Sequence, residues 1–400
     1  RGKKMKFAHL SDCHLGGWRQ PELQELNLQS FKIAIGACIT EKVDFVLFSG
    51  DLFDSAFPPI EILKETFSEF RKLKEQGIKC YVIAGSHDYS VSGKTFLDVL
   101  EKAGFCEMCG YEEKGEPTEE IILKPCIHQS YHIYGYPGKK SGLEIPDLRK
   151  IKINEPYQAN FRILMLHTTI DEVKGDLPID SINLATLPPA DYYALGHIHI
   201  NFEKEINGKP AIYSGPLFPN NFKELEELKY GSFYIIDVEG YTKITKKEIK
   251  LKEIEYINIE ITDAIKGTTK IISELEKRNL KDKIILLRIY GDLEKGKTSD
   301  IKFSEIEEYL KKQQVYSFLK NTSKLEAQKQ EFQSQIQPSE MGKVEESLVQ
   351  KYKQENPSDF NKLIFELMDS LNLEKQEGEK SAIFEQRLFL GLNKLLKVEL

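Results

Sequence analysis

The 400-residue sequence holds one tryptophan, five methionines and six cysteines, and it has no excess of positive charge. Fifty-six Lys and Arg against 63 Asp and Glu leave a net charge of −7 at pH 7. No global field therefore draws the chain to nucleic acid or anionic lipid. A polyanion would have to be held by a local patch, bound cations or a partner. No apolar run approaches the ~20 residues that a membrane-spanning helix needs, and no signal-peptide pattern is expected. Six scattered cysteines do not make a disulfide framework and point to a reducing, cytoplasmic setting. The one tight pair, Cys106-Glu-Met-Cys109, has Cys126 and His128 downstream but lacks the second pair that would complete a structural zinc motif.

What is present is enough apolar material, 40% of residues, for two or three cores. Over residues 5–240, short β-branched or aromatic runs alternate with helical stretches. Lys6 to Leu10, Phe45 to Ser49, Lys79 to Ala84, Arg162 to Leu166, Tyr192 to Leu195, Ala211 to Ser214 and Gly231 to Val238 read as strands. Leu26 to Thr40 and Pro59 to Gln76 read as helices. Strands apolar on both faces imply a mixed sheet covered by helices. Residues 241–319 shift to Lys, Glu and Ile and read as a small, separate α/β unit. The Gln-, Ser- and Lys-rich residues 320–345 read as a linker or an exposed helix. Residues 346–400 carry two amphipathic stripes. One contains Phe360, Ile364 and Leu367, and the other Leu388. Two such helices bury little on their own, so they pack on the body or dock a partner.

Functional groups of open α/β sheets collect beyond the carboxyl ends of strands, and this chain places Asp or His at each of these exits. The first run ends in Asp12-Cys-His14, the second in Gly50-Asp51-Leu-Phe-Asp54 and the third in Gly85-Ser86-His87-Asp88. The fourth ends in His167 and the fifth in Gly196-His197-Ile-His199. Five of the eight histidines thus stand at strand exits. One such histidine is ordinarily a structural residue; five together call for a pair of divalent metals. Imidazole and carboxylate suit Mn, Fe, Zn or Mg, and a bridging carboxylate can hold two ions roughly 3.5–4 Å apart to hydrolyse a phosphoester. Asp51 is the natural bridge, and Gly50 lets the chain turn tightly before it.

Taken as a set, Asp12-x-His14, Gly50-Asp51-x-x-Asp54, Gly85-x-His87-Asp88, His167 and Gly196-His197-x-His199 resemble the calcineurin-like metallophosphoesterase superfamily. "FAHLSDCHLGG", "FSGDLFDS", "YYALGHIH" and "YSGP" resemble its SbcD and meiotic-recombination-eleven branch of DNA double-strand-break repair nucleases. The resemblance implies a four-layer α/β sandwich, a small α/β capping domain and a C-terminal helical segment that docks an SMC-like ABC ATPase of the SbcC type. It implies two Mn ions. Asp12, His14, Asp51 and His199 would hold one; Asp51, His167, His197 and position 86 would hold the other. His87 would protonate the leaving oxygen or steady the phosphate, oriented by Asp54. The implied activity is a homodimeric exo- and endonuclease on duplex DNA ends and single-stranded overhangs. Small-molecule or protein metallophosphoesterase activity, and a catalytically weak DNA-end scaffold, are the alternatives.

Two departures stand out. Ser86 replaces the superfamily's usual asparagine, and Thr168-Thr169 follow His167 where the branch often has Gln-Gly. For DNA, the candidate contacts are Trp18 and Arg19, with Lys139-Lys140, Arg149 to Lys152 and Lys243 to Lys252 as basic patches. Trp18 would either wedge against a DNA end or anchor its own loop or a dimer contact. Phe360, Ile364, Leu367 and Leu388 are the candidate ATPase-docking residues.

Overall fold

The computed structural model describes residues 4–89, 95–113, 120–154, 159–175 and 179–327. In the tail it describes 349, 352–353, 359–371, 373, 384, 387–390, 393 and 395. Two compact units divide the chain, Arg1–Gln328 and Lys329–Leu400.

The apolar runs of the first unit build two six-stranded sheets. From edge to edge the first runs Tyr241–Ile249, Gly231–Glu239, Met5–Leu10, Phe45–Ser49, Lys79–Ile83 and Glu107–Met108. The last four are mutually parallel, and Gly231–Glu239 lies antiparallel beside Met5–Leu10. The second sheet runs Phe202–Ile206, Lys209–Tyr213, Tyr192–Gly196, Phe161–His167, Tyr131–Tyr136 and Cys126–His128. An apolar layer joins the sheets face to face, with Phe7, Phe45 and Tyr81 of the first against Ile133, Ile163, Met165 and Tyr192 of the second. Phe7 stacks on Phe45 at 5.0 Å and meets Tyr192 edge-on at 5.3 Å. Each such pair is worth about 0.5–1.5 kcal/mol beyond its buried area.

The helices Pro21–Thr40 and Ile60–Glu75 cover the other face of the first sheet. They bury Phe31, Ile35, Phe70 and Leu73 against Val46, Phe48 and Val82. Short helices and a three-stranded sheet (Tyr111–Glu113, Ile121–Leu123, Ile151–Ile153) cover the outer face of the second. The result is the expected layered α/β sandwich. Parallel register aligns the strand exits, with Leu10 beside Phe48, Ser49 beside Ile83, and His167 beside Gly196. Consequently the polar residues that follow these strands fall on one side of the molecule.

A separate small sheet, all parallel, of Ile254–Glu260, Ile284–Leu293 and Ser317–Ala327 carries the helices Ala264–Leu275 and Phe303–Lys312. Two boundaries differ from the sequence reading. Tyr241–Ile249 is an edge strand of the first sheet, paired along its length with Gly231–Glu239, so the body continues to Ile249. Residues 320–327 are strand rather than linker. Both segments are edge strands, and an edge strand with one face in water is polar at alternate positions, which in composition mimics a linker. Residues 328–345 of the expected linker lie outside the described residues.

The small sheet is not free of the body. Ile284 and Leu286 pack with Trp18, Leu23, Leu26, Phe218 and Leu225 in one cluster. Trp18 is 7% exposed and its indole N–H donates to the Pro219 carbonyl at 3.0 Å. Of the two readings of Trp18 this burial favours the anchor over the DNA wedge, since the indole is sunk between the body and the small sheet. Arg19, next along the chain, is exposed.

In the second unit a 3₁₀ turn, Asp359–Leu363, leads into the helix Ile364–Leu371. Ile364, Leu367 and Leu388 are half-buried, whereas Leu371, Phe389 and Leu390 are 60%, 52% and 61% exposed. The side chain of Phe360 lies outside the described residues, as do Ile383, Leu392 and Leu396.

Emptying the Trp18 pocket tests its anchoring role. Trp18→Ala is expected to cost about 3–5 kcal/mol of unfolding free energy, read by urea titration. Trp18→Phe, which retains the ring and loses one hydrogen bond, should cost only ~1 kcal/mol more than the change in packing.

Candidate metal centre

Strand exits from both sheets meet over one crevice. Asp12, His14, Asp51 and His167 are each no more than 2% exposed. Metal-capable atoms converge in three overlapping groups: Asp12, His14 and His199; Asp12, Asp51 and His167; and His14, Asp51 and His87. Within each group these atoms lie within 4.8 Å of one another. Asp51 stands between, with Oδ2 at 3.1 Å from His167 Nε2 and 3.6 Å from His14 Nε2, and Oδ1 accepting the His87 main-chain N–H at 2.7 Å.

The backbone at this site is bent where L-residues are rarely bent. Asp12, His14, Asp51 and His197 have φ of 51°, 42°, 50° and 98°. Non-glycine residues in that region carry roughly 1–3 kcal/mol of strain and persist only where their surroundings hold them. Here main-chain bonds do the holding, from Asp12 N to Gly50 O at 3.1 Å and from His14 N to Asp51 O at 3.0 Å. Glycines make room. A Cβ on Gly85 would lie 2.2 Å from Asp51 N and Oδ1, one on Gly50 2.2 Å from His167 Nδ1, and one on Gly138 2.5 Å from His167 Cδ2.

Three histidines have their tautomers set by oxygen acceptors. His167 Nδ1–H donates to the Ser49 carbonyl at 2.9 Å, His199 Nδ1–H to Glu224 Oε1 at 2.9 Å, and His14 Nδ1–H to Asp54 Oδ1 at 3.0 Å. Each therefore points Nε2 into the crevice, where loss of its proton to a bound cation would expose a lone pair, the arrangement that outer hydrogen bonds impose on metal-ligating imidazoles. The Nε2 atoms of His14 and His199 face each other at 3.0 Å, a repulsive contact unless a proton or cation lies between them. His167 Nε2 is buried without a hydrogen-bond partner; its 3.1 Å approach to Asp51 is a charge contact without hydrogen-bond geometry. Nitrogen and carboxylate donors in this state fit a divalent metal centre.

The ionisation of these groups follows the same crowding. Burial pushes the Asp51 carboxyl up, but the His167 and His14 imidazoles and the His87 N–H outweigh it and hold the group well below the usual carboxylate range. Burial pulls His167 down, yet Asp51 beside it raises it to about 10. His199 is raised to about 9, because its bond to Glu224 and the Asp12 charge overcome its burial. His197 goes the other way, to about 4, through burial and the neighbouring His167.

Each expected residue can now be placed. His197 gives its main-chain N–H to Asp12 Oδ1 at 2.9 Å and sets its ring 5.0 Å from that of His167. Ser86 Oγ lies 3.4 Å from Asp51 Oδ2. His87 is 47% exposed at the rim, its Nδ1 bound at 2.9 Å to the main-chain carbonyl of Asp54. The Asp54 carboxylate is 3.7 Å from that ring and instead engages His14. Asp54 thus serves two histidines, one through its backbone and one through its side chain.

Other supports escaped the sequence reading. Buried Asp88 accepts the N–H groups of Gly85 at 3.0 Å, Leu52 at 3.1 Å and Phe53 at 3.0 Å, tying two strand exits together. Burial and the nearby Asp51 push its carboxyl up to about 6. Ser11 donates to Asp12 Oδ2 at 2.5 Å and contacts the Ser214 hydroxyl at 2.8 Å, which explains the serine of the "YSGP" stretch. Asp88 had a signal, its place beside His87. Glu224 had none, since it sits in a charged helical run.

The basic patches are weaker than their sequence suggests. Lys139 pairs with Asp147 at 2.6 Å, Lys247 with Glu41 at 2.7 Å, Lys250 with Glu248 at 2.9 Å and Lys252 with Asp282 at 2.5 Å. The cysteines are free thiols, and among the described residues no metal-capable group includes them.

Gly85→Ala drives a methyl into Asp51. It should lower divalent-metal affinity by about 10–100-fold, as loss of support around a ligand does. Gly36→Ala, in a helix with open space around it, should leave the affinity unchanged. Isothermal calorimetry with MnCl₂ reads both.

Residues 5–201 match the calcineurin-like phosphoesterase family. The "DNA double-strand break repair protein Mre11" of Methanocaldococcus jannaschii is 30% identical over 317 residues, covering 77% of this chain and 78% of that protein. The protein of the same name in Archaeoglobus fulgidus is 25% identical over 71% of this chain and 68% of its own length. An uncharacterized metallophosphoesterase of Bacillus subtilis, YhaO, is 28% identical over 58% of this chain and 57% of its own. With that likeness and a crevice built to hold divalent ions, the chain belongs to the calcineurin-like metallophosphoesterases, in the branch formed by those Mre11 proteins, and is a metal-dependent phosphodiesterase.

Proposed function

We propose that this protein is a Mn-dependent nuclease that processes DNA ends in double-strand-break repair, acting as a homodimer with an SMC-like ABC ATPase. The observation that carries the chemistry is the set of Nε2 and carboxylate atoms aimed into one crevice, with Asp51 between the His14 and His167 imidazoles. The names of the archaeal relatives support DNA as the substrate.

Asp12, His14, Asp51 and His199 would hold one ion, and Asp51, His167, His197 and Ser86 the other. A bound pair supplies Lewis acidity, an activated water and positive charge against the phosphodiester. The chain's own residues do the rest. The Ser11 hydroxyl and the His197 N–H fix both oxygens of Asp12. His87 stands at the exposed rim with Nδ1–H committed to the Asp54 carbonyl. That leaves Nε2 as the ring atom free to deliver a proton to the leaving oxygen. With Lys139, Lys247, Lys250 and Lys252 already paired, much of the phosphate-facing charge would come from the ions. DNA contacts would then be to the backbone rather than to base edges.

Apolar side chains left in water support the two assemblies. Phe57 and Ile60, at the head of the helix Ile60–Glu75, are 69% and 73% exposed and suit a dimer contact. Leu371, Phe389 and Leu390 in the second unit suit ATPase docking around Ile364, Leu367 and Leu388. A linear duplex incubated with MnCl₂ tests the activity. His87→Ala should cut the cleavage rate by about 10²–10⁴-fold while binding the same duplex. Cleavage unaffected by His87→Ala, or absent from the native protein, refutes the reading.

Ser86 bears on the second ion. Its hydroxyl is shorter than an asparagine carboxamide by about one bond, ~1.5 Å. One of the two Mn sites should accordingly be weaker, and Ser86→Asn should tighten it. Equal affinities for both ions in the native protein would refute this.

A further inference from the structure

A short helix, Phe222–Leu228, links the small sheet that follows Ile249 to the metal crevice, and its two sides face different structures. On one side Glu224 accepts the His199 Nδ1–H at 2.9 Å, and its other oxygen accepts the Asn220 N–H at 2.7 Å. On the other side Leu225 is fully buried in the cluster shared with Ile284 and Leu286. Glu226 pairs with Arg288 of the small sheet, and the Arg288 guanidinium lies 5.3 Å over the Phe222 ring. The same guanidinium donates to the Tyr256 hydroxyl at 3.1 Å, so its geometry is set from the small sheet's own side. The Arg288–Glu226 pair is largely shielded, with the side chains 15% and 24% exposed. A shielded bidentate-capable cation between two acceptors is a rigid connector rather than a loose surface pair.

We infer that the docked small sheet sets the position of His199 through this helix: Arg288 holds Glu226 and Phe222, and Glu224, two residues from each, holds the imidazole. Glu224 is a positioning residue, and Arg288 acts through it. The device makes occupancy of one metal site depend on how the small sheet sits against the body. Any partner or substrate that shifts that sheet would change the site without touching a ligand. The coupling runs through Phe222, Leu225 and Glu226, the residues of the same helix that contact the small sheet.

This inference rests on His199 as a metal ligand, and the experiment separates the two claims. MnCl₂ is titrated calorimetrically into the full chain, comparing native protein with Glu224→Ala, Arg288→Ala and Arg278→Ala. The last breaks a 3.0 Å pair with Glu255 inside the small sheet, away from the helix. Native protein should bind two ions. Glu224→Ala should weaken one binding event by about 10–100-fold, and Arg288→Ala should weaken the same event by about fivefold or more, with Arg278→Ala unchanged. In metal-free protein the hydrogen-bonded Nδ1–H resonance of His199, assigned with His199→Gln, should shift in Arg288→Ala and stay in place in Arg278→Ala. Circular dichroism checks that each variant is folded. Native-like binding and an unshifted resonance in Arg288→Ala overturn the relay while leaving the metal reading intact. Fewer than two ions on the native protein overturns the metal reading and the relay with it.

Discussion

Asp12, Asp51 and Asp88, none more than 2% exposed, stand in one crevice between two sheets. Carboxylates so placed lose their hydration and repel each other, so every one must be compensated locally or the fold does not close. Each is. Asp88 takes three main-chain N–H groups, Asp12 a hydroxyl and an N–H, and Asp51 an N–H and two imidazoles. Asp12, Asp51 and His197, which belong to this network, have positive φ, and Gly50 and Gly85 beside them are where a methyl would not fit. Strain, small residues and buried charge are thus one constraint seen three ways. They mark the place where the protein gives up stability for an arrangement of charge.

The two-sheet core supplies the rigidity this needs. Parallel strands in register deliver their exits to a common level, and the aromatic layer of Phe7, Phe45, Tyr81 and Tyr192 keeps the sheets from sliding. Sub-ångström placement of Nε2 atoms from separate strands is possible only on such a base. Support also comes from beyond the sheets. His199 leans on a helix that is itself clamped between the body and the small sheet, and Trp18 closes the same seam.

The convergence of candidate ligands was largely legible in the chain because these groups come as short, stiff words. Asp-x-His and His-x-His place alternate residues on one side of an extended segment, and the preceding glycines betray the turns. Strand-end position then implies convergence. What stayed hidden were partners contributed from a distance. Asp54 divides its service between His14 and His87, which no local spacing distinguishes. Trp18, beside two glycines, reads equally well as a wedge or as an anchor until its neighbours from residues 218, 225, 284 and 286 are in place.

From the sequence alone came the layered α/β class and the five segments whose Asp and His residues meet at the crevice. These follow from periodicity and from side-chain chemistry, which are local. Tertiary structure alone decided that Tyr241–Ile249 and residues 320–327 are edge strands, that Lys139, Lys247, Lys250 and Lys252 are paired with carboxylates, and that Glu224 rather than a nearer residue steadies His199. Those outcomes depend on which surfaces are covered and which charges meet across tens or hundreds of residues. Only the folded chain brings such partners within hydrogen-bonding range.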